Sequence, residues 1–311
     1  METYPFAVAQ ATRLLERLAF QINGAVHSPH AAAIHDLRVA IRRFSQALAA
    51  CKACFPPRAV RKMRRRLKPV MALAGEVRDT DVALHLVAAA GAGAGALEAK
   101  LRARRKTAAK SLVALLKHCT ARKSVSKWRS ALESGIPPRE LRQATAEAFA
   151  HRQLPRLAAR FFREGARAAA PEASAGERHR FRLAAKRFRY TLELFAGFYG
   201  PAAAHWTAQV RELQSILGAM NDCRSARALV EALGGDPKIE ASLKKRQQRK
   251  SLEFRRAWTA RFGAAGCAKH WMQALSHPPR KPMTRSATSQ ARDTAKGDGL
   301  SLKRATIFCH K

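Results

Sequence analysis

HDLRVAIRR at residues 35–43 and HRFRLAAKR at residues 179–187 decide how this chain is read. Each stretch carries a His, an Arg three residues later, and two adjacent bases at seven and eight residues. On a helix, with His35 set at 0°, Arg38 falls at about 300° and Arg42 at about 340°, while Leu37, Ile41 and Phe44 gather at roughly 180–240°. One side is apolar and the other is a cationic stripe. The second copy repeats this with His179, Arg182, Lys186 and Arg189, opposed by Phe181, Phe188 and Leu192.

The phrase belongs to a longer duplication. FAVAQATRLLERL from Phe6 matches FAHRQLPRLAARF from Phe149. ALAGEVRDTDVAL (72–84) matches SILGAMNDCRSAR (215–227), which pairs Gly75 with Gly218 and Asp79 with Asp222. LEAKLRAR (97–104) matches IEASLKKR (239–246), and WRSAL (128–132) matches WMQAL (271–275). Blocks that keep one order at a near-constant offset mark a tandem repeat. Repeat one covers about 1–137 and repeat two about 138–280.

Both repeats read as helix. Ala, Leu, Arg, Lys and Glu dominate, and apolar positions follow the 3.6-residue period. Breaks fall at Pro29, Pro56–Pro57, the GAGAGA run at 91–96, Pro137–Pro138, APEASAGE at 170–177, Gly200–Pro201 and Gly234–Gly235. Ser174 and Glu177 have capping-box spacing ahead of the second His phrase. Each repeat should hold four longer helices and a short Trp-bearing one. Gly75 and Gly218 are read as turns, with Asp79 and Asp222 after them capping a helix start or orienting a base. Residues 281–311 are polar and unpatterned, and are read as a disordered basic tail.

The chain has 311 residues with 59 Lys plus Arg against 22 Asp plus Glu, a formal net charge of +37. Such an excess repels itself in a compact fold and attracts polyanions. Solvent-facing helices usually mix charge signs to gain i,i+4 pairs, yet these stripes are nearly free of acids. RAVRKMRRRLK (58–68) places Arg61, Arg65 and Lys68 on one face, and Arg152, Arg156 and Arg160 form another stripe. Packed through their apolar sides, such helices can line a shared basic concavity.

No apolar run is long enough to span a bilayer, and the start lacks a secretory pattern. The expectation is a cytoplasmic protein with reduced cysteines, Cys51 and Cys54 included. No Walker loop, GxGxxG or nucleophile elbow is present. No second carboxylate stands at a fixed spacing from Asp79 and Asp222, so catalysis, a cofactor and a metal site are not expected.

The duplicated His-x-x-Arg-x-x-x-Arg/Lys-Arg phrase, followed about 44 residues later by RDTD or MNDC, resembles the CHAD family, named for its conserved histidine α-helical domain. HRFRLAAKRFRYTLE and LQSILGAMND carry the most specific part of the likeness, which covers roughly residues 1–280. The resemblance implies an all-α fold of two pseudo-symmetric bundles around a central basic cavity. It also implies binding of inorganic polyphosphate and association with polyphosphate granules. Its ligand positions map to His35, Arg38, Arg42, Arg43, His179, Arg182, Lys186, Arg187 and Arg189. Ser45 stands where a further base matching Arg189 is expected, which implies a weaker grip in repeat one.

The chemistry agrees with such a ligand. Arg forks suit phosphate oxygens, and a chain without bases needs no stacking platform, unlike a single-stranded nucleic acid. The competing reading is a nucleoid-type protein that binds nucleic acid through a convex basic surface.

Overall fold

A computed structural model describes residues 1–90, 95–119 and 122–277. Eleven α-helices and no named strand occur among them: α1 (Thr3–His27), α2 (Ala31–Ala50), α3 (Pro57–Ala88), α4 (Gly95–Cys119), α5 (Arg122–Glu133), α6 (Arg139–Gln143), α7 (Ala146–Ala169), α8 (Ala175–Leu194), α9 (Pro201–Ala232), α10 (Pro237–Phe262) and α11 (Cys267–Ser276). The chain is all-α, as its periodicity predicts. Element order repeats too: α1–α5 and α7–α11 are each four long helices followed by a short one bearing Trp128 or Trp271, with α6 as a linker. Even the 3₁₀ turns at Lys52–Cys54 and Ala196–Phe198 recur.

Local chemistry sets the boundaries. Pro occupies the first turn of α3, α9 and α10, where a missing N–H costs nothing. Ser174 and Glu177 form the expected capping box: the Glu177 N–H donates to Ser174 Oγ at 3.1 Å, and the Ser174 N–H donates to Glu177 Oε2 at 2.7 Å. The α2 counterpart is capped differently, by His30 Nδ1 accepting from the Ala33 N–H at 3.3 Å.

Two sequence expectations fail here. Gly75 and Gly218 do not turn the chain; both lie inside the 32-residue helices α3 and α9. Asp79 and Asp222 are therefore mid-helix and cap no helix start. Gly75 answers a packing need instead: a Cβ there would sit 2.7 Å from Arg38 Nη1. Of the GAGAGA run, 91–94 lies outside the described residues and Gly95 opens α4. The expected tail at 281–311 also lies outside them.

The helices close a ring in which α2 packs on α3, α3 on α9, α9 on α8, and α8 on α2. α4 and α10 flank α3 and α9, and α1 and α7 flank α2 and α8. The start of the chain ties the repeats together, with the Thr3 N–H donating to the Ala144 carbonyl at 3.0 Å and the Ala146 N–H to the Met1 carbonyl at 3.1 Å. Cys51 and Cys54 are buried in the core at the α2–α3 junction, and burial pushes both thiols up.

Candidate functional site

The apolar interior is split by a charged layer. The main core extends along α3 to Val77 and along α9 to Met220; a smaller cluster begins at Val82 and Cys223. Between them lie Arg78 and Asp79 on α3 and Asn221 and Asp222 on α9. From α2 and α8, Arg38, Arg42, Arg182 and Lys186 reach the same region and act on one another electrostatically across the two repeats. The single-helix stripes predicted from the two His phrases thus meet.

These cations are poorly compensated. Among the described residues, Arg38, Arg42, Arg78, Arg182 and Lys186 form no ion pair, although Asp79 and Asp222 are near enough to act on them. Carboxylates elsewhere are engaged, as in Arg129–Glu16 at 2.8 Å and Arg261–Glu212 at 2.6 Å. Arg38 Nη1 and Arg182 Nε are buried with no hydrogen-bond partner. A buried donor left unpaired costs about 1–3 kcal/mol, so the layer is held against its own electrostatics by the packing around it.

The protonation equilibria record this strain. Burial, then Arg42, Arg182 and Arg38, lower Lys186 to about 6. Burial and Arg42 bring Arg38 down to about 10. Arg182 is lowered by burial and Arg42, and Asp222 is raised chiefly by burial. His35 and His179 are exposed at the rim, one turn before Arg38 and Arg182. His35 is lowered by burial and Arg78, and His179 by burial and Arg182.

Other predicted site residues fall elsewhere. Arg43 donates to Glu193 at 3.1 Å, and Arg189 Nη1 to the same carboxylate at 2.8 Å while its guanidinium stacks on Tyr190. Arg43 lines a separate mixed-charge pocket of about 610 Å³ with Arg13, Arg17, Asp36, Glu193 and Arg211. Ser45 therefore removes no member of the central layer, because its counterpart Arg189 is turned to Glu193. Arg187 is exposed on α8. Arg61, Arg65 and Lys68 are exposed on α3; Lys68 lies about 17 Å along the helix from Asp79 at 1.5 Å per residue. Arg152, Arg156 and Arg160 are exposed on α7. These two stripes are surface features, outside the charged layer.

Sequence reasoning missed Arg78 and Arg224. Both stand in quoted motifs, RDTD and NDCR, but at non-equivalent positions: Arg78 aligns with Asn221 and Arg224 with Asp81. Comparing the repeats therefore pairs neither base with another. Counting cations within one turn of each Asp would have found them.

The CHAD domain family model matches residues 9–231. The fold is similar to the crystal structure of the CHAD domain from the plant Ricinus communis, with a TM-score of 0.61 at 20% identity over 88% of this chain and 92% of that one. It is also similar to PptA from Streptomyces chartreusis, with a TM-score of 0.57 at 16% identity over 88% of this chain and 99% of that one. Comparison with curated proteins finds no match. With the family pattern matched over more than half its length and the same all-α architecture, this chain belongs to the CHAD domain family.

Proposed function

We propose that the protein binds inorganic polyphosphate at the charged layer, without catalysis, and that this binding recruits it to polyphosphate granules. One observation carries the proposal: four bases from two repeats share a half-buried site with unpaired donors and no ion pair. Such a site gains most from a ligand that is all anion. Polyphosphate supplies about one charge per residue and only oxygen acceptors, which match Arg forks. Family membership supports the same ligand. The lining groups are mainly donors, suited to holding phosphoanhydrides rather than attacking them.

The exposed stripes on α3 and α7 favour a second reading, in which nucleic acid binds as a weaker polyanion on the outer surface. Competition between long-chain polyphosphate and duplex DNA at physiological salt separates the two. Polyphosphate should displace DNA, and Arg182→Ala with Lys186→Ala should weaken polyphosphate binding while leaving helicity and DNA binding unchanged. By analogy with nucleic acids, the log affinity should fall by roughly 0.7–0.9 per neutralised charge for each log unit of salt, and the variant should show the smaller slope. A double variant that binds polyphosphate like the wild type would overturn the proposal. Phosphate release from polyphosphate by the purified protein would overturn its non-catalytic part.

A further inference from the structure

The pocket of about 610 Å³ around Arg43 is built from α1, α2, α8 and α9, and it shares no lining residue with the charged layer. Its volume falls in the range of roughly 300–1,000 Å³ typical of small-molecule sites. Arg13 and Arg17 enter it from α1, Arg43 from α2 and Arg211 from α9. Glu193 on α8 organises the last two. Arg43 donates to its Oε2 from Nε at 3.2 Å and from Nη2 at 3.1 Å, and Arg211 Nη2 lies 3.6 Å from its Oε1. Arg189 Nη1 donates to that same Oε1 at 2.8 Å, so one carboxylate orients three guanidiniums. On α1, Arg13 donates to Gln10 at 2.8 Å, and Arg17 lies over the exposed ring of Phe20, 5.2 Å from its centroid. These contacts use no more than two of the five N–H donors that each guanidinium carries.

Two further materials set this pocket apart from the layer. Leu14, Val39, Ala40 and Leu194 give it an apolar wall, with the buried ring of Tyr190 beside them. Asp36, exposed on α2, joins Glu193 as a second carboxylate. Exchanging the repeats does not reproduce this set: Asp36 aligns with Arg180, Glu193 with Ala49 and Tyr190 with Gln46. The carboxylates and the ring are therefore peculiar to this pocket and are not by-products of the duplication. Four arginines against two carboxylates leave the lining at +2.

We infer that this pocket binds a nucleoside polyphosphate at a site separate from the charged layer. The arginines take the phosphates through their forked donors. Glu193 and Asp36 accept from the sugar hydroxyls, as an acidic residue does for ribose in dinucleotide-binding folds. The apolar wall covers the base, in keeping with small-molecule sites that combine an apolar lining with a few placed polar groups. A bare phosphate chain would meet both carboxylates and gain nothing from the wall. The two sites thus sort anions by composition, pure phosphate in the layer and phosphate with an organic body in the pocket. The inference goes beyond the polyphosphate reading, and either can fail without the other.

The test is calorimetry on the full chain with ATP, adenosine, tripolyphosphate and 2′,3′-dideoxy-ATP as probes. Arg13→Ala with Arg211→Ala, both at exposed positions, should weaken ATP at least tenfold with unchanged melting. The same variant should hold long-chain polyphosphate within twofold of the wild type. Arg182→Ala with Lys186→Ala should do the reverse. ATP binding that survives the first variant and is lost in the second would place ATP in the layer and overturn the inference. Adenosine should bind at least tenfold more weakly than ATP, and dideoxy-ATP at least threefold more weakly. Tripolyphosphate that matches ATP and is equally weakened by the pocket variant would show a plain phosphate site and overturn the nucleoside assignment. Absence of ATP binding would overturn the inference and leave polyphosphate binding intact.

Discussion

Repeat one and repeat two fold into the same helices from different materials. In repeat two, Phe161, Phe162, Phe181, Phe254, Trp258 and Phe262 form an aromatic lattice with centroids 5.2–6.1 Å apart. In repeat one the aligned positions Leu18, Leu37, Leu112 and Leu116 are buried and aliphatic. The size difference is absorbed in pairs: Gly165 faces Trp258, where repeat one has Ile22 and Leu116. Cores tolerate such exchanges when total volume is kept. Polar positions diverge more freely, and there the exchange is of charge sign, as at Asp81 and Arg224.

The largest break in this comparison should come from Gly165→Val. A Cβ at Gly165 would lie 2.0 Å from Trp258 Cη2, and overpacking a filled core costs typically 1–3 kcal/mol. We expect a loss of about 3 kcal/mol by chemical denaturation. Ile22→Val in repeat one should cost only about 1 kcal/mol. Equal losses would show that the two cores are not packed in compensating pairs.

The next effect is on pH dependence, because Lys186 aligns with Arg42 and only the lysine can release its proton near neutrality. In the free protein Lys186 titrates at about 6, below its unfolded value. Between those values the unfolded chain holds the extra proton, so stability of the free protein falls as pH drops toward 6. A bound polyanion raises Lys186, so binding takes up a proton above pH 6. Affinity should then fall about tenfold between pH 6 and 8 (the change expected when binding takes up, on average over that range, roughly half a proton). His35 and His179, both lowered, add to uptake in the same direction. Lys186→Arg should flatten the profile, and calorimetry in buffers of different ionisation enthalpy should show less proton uptake.

Smaller differences sharpen the contrast at the α2 and α8 starts. Ser174→Ala breaks the reciprocal cap and should cost about 1 kcal/mol. His30→Ala, which removes one 3.3 Å bond, should cost less than half of that. Last, His179→Ala should weaken polyphosphate binding about threefold, a few tenths of a kcal/mol beyond what His35→Ala does. Equal effects of the two would show that both histidines contribute alike to binding.

Much of the fold is legible in the sequence because duplication and helical period are both local patterns. The stripes of Arg38, Arg42, Arg182 and Lys186 follow from a wheel drawn on nine residues. What the wheel lacks is the neighbour. Arg43 ranks with Arg38 and Arg42 in the family likeness until Glu193 on α8 reaches it. Arg189 could have been set aside from sequence, since Glu193 stands four residues on. Gly75 reads as a turn because its reason, the Arg38 guanidinium, comes from another helix. Asp81–Arg105 is likewise a contact between helices, 24 residues apart, with no local signature.

The charged layer has a mechanical consequence. The apolar cluster beyond it, formed by Val82, Leu86, Val87, Leu101, Ala226, Val230, Ile239 and Leu243, is small and separate from the main core. Units with few buried apolar contacts open independently of the whole. The ends of α3 and α9, with the starts of α4 and α10, therefore form a tip that can breathe while the rest stays folded. Hydrogen exchange at 82–88 and 226–232 should outpace that of α2 and α8. A polyanion that neutralises the layer would join the tip to the body and slow that exchange, making the ligand a structural keystone.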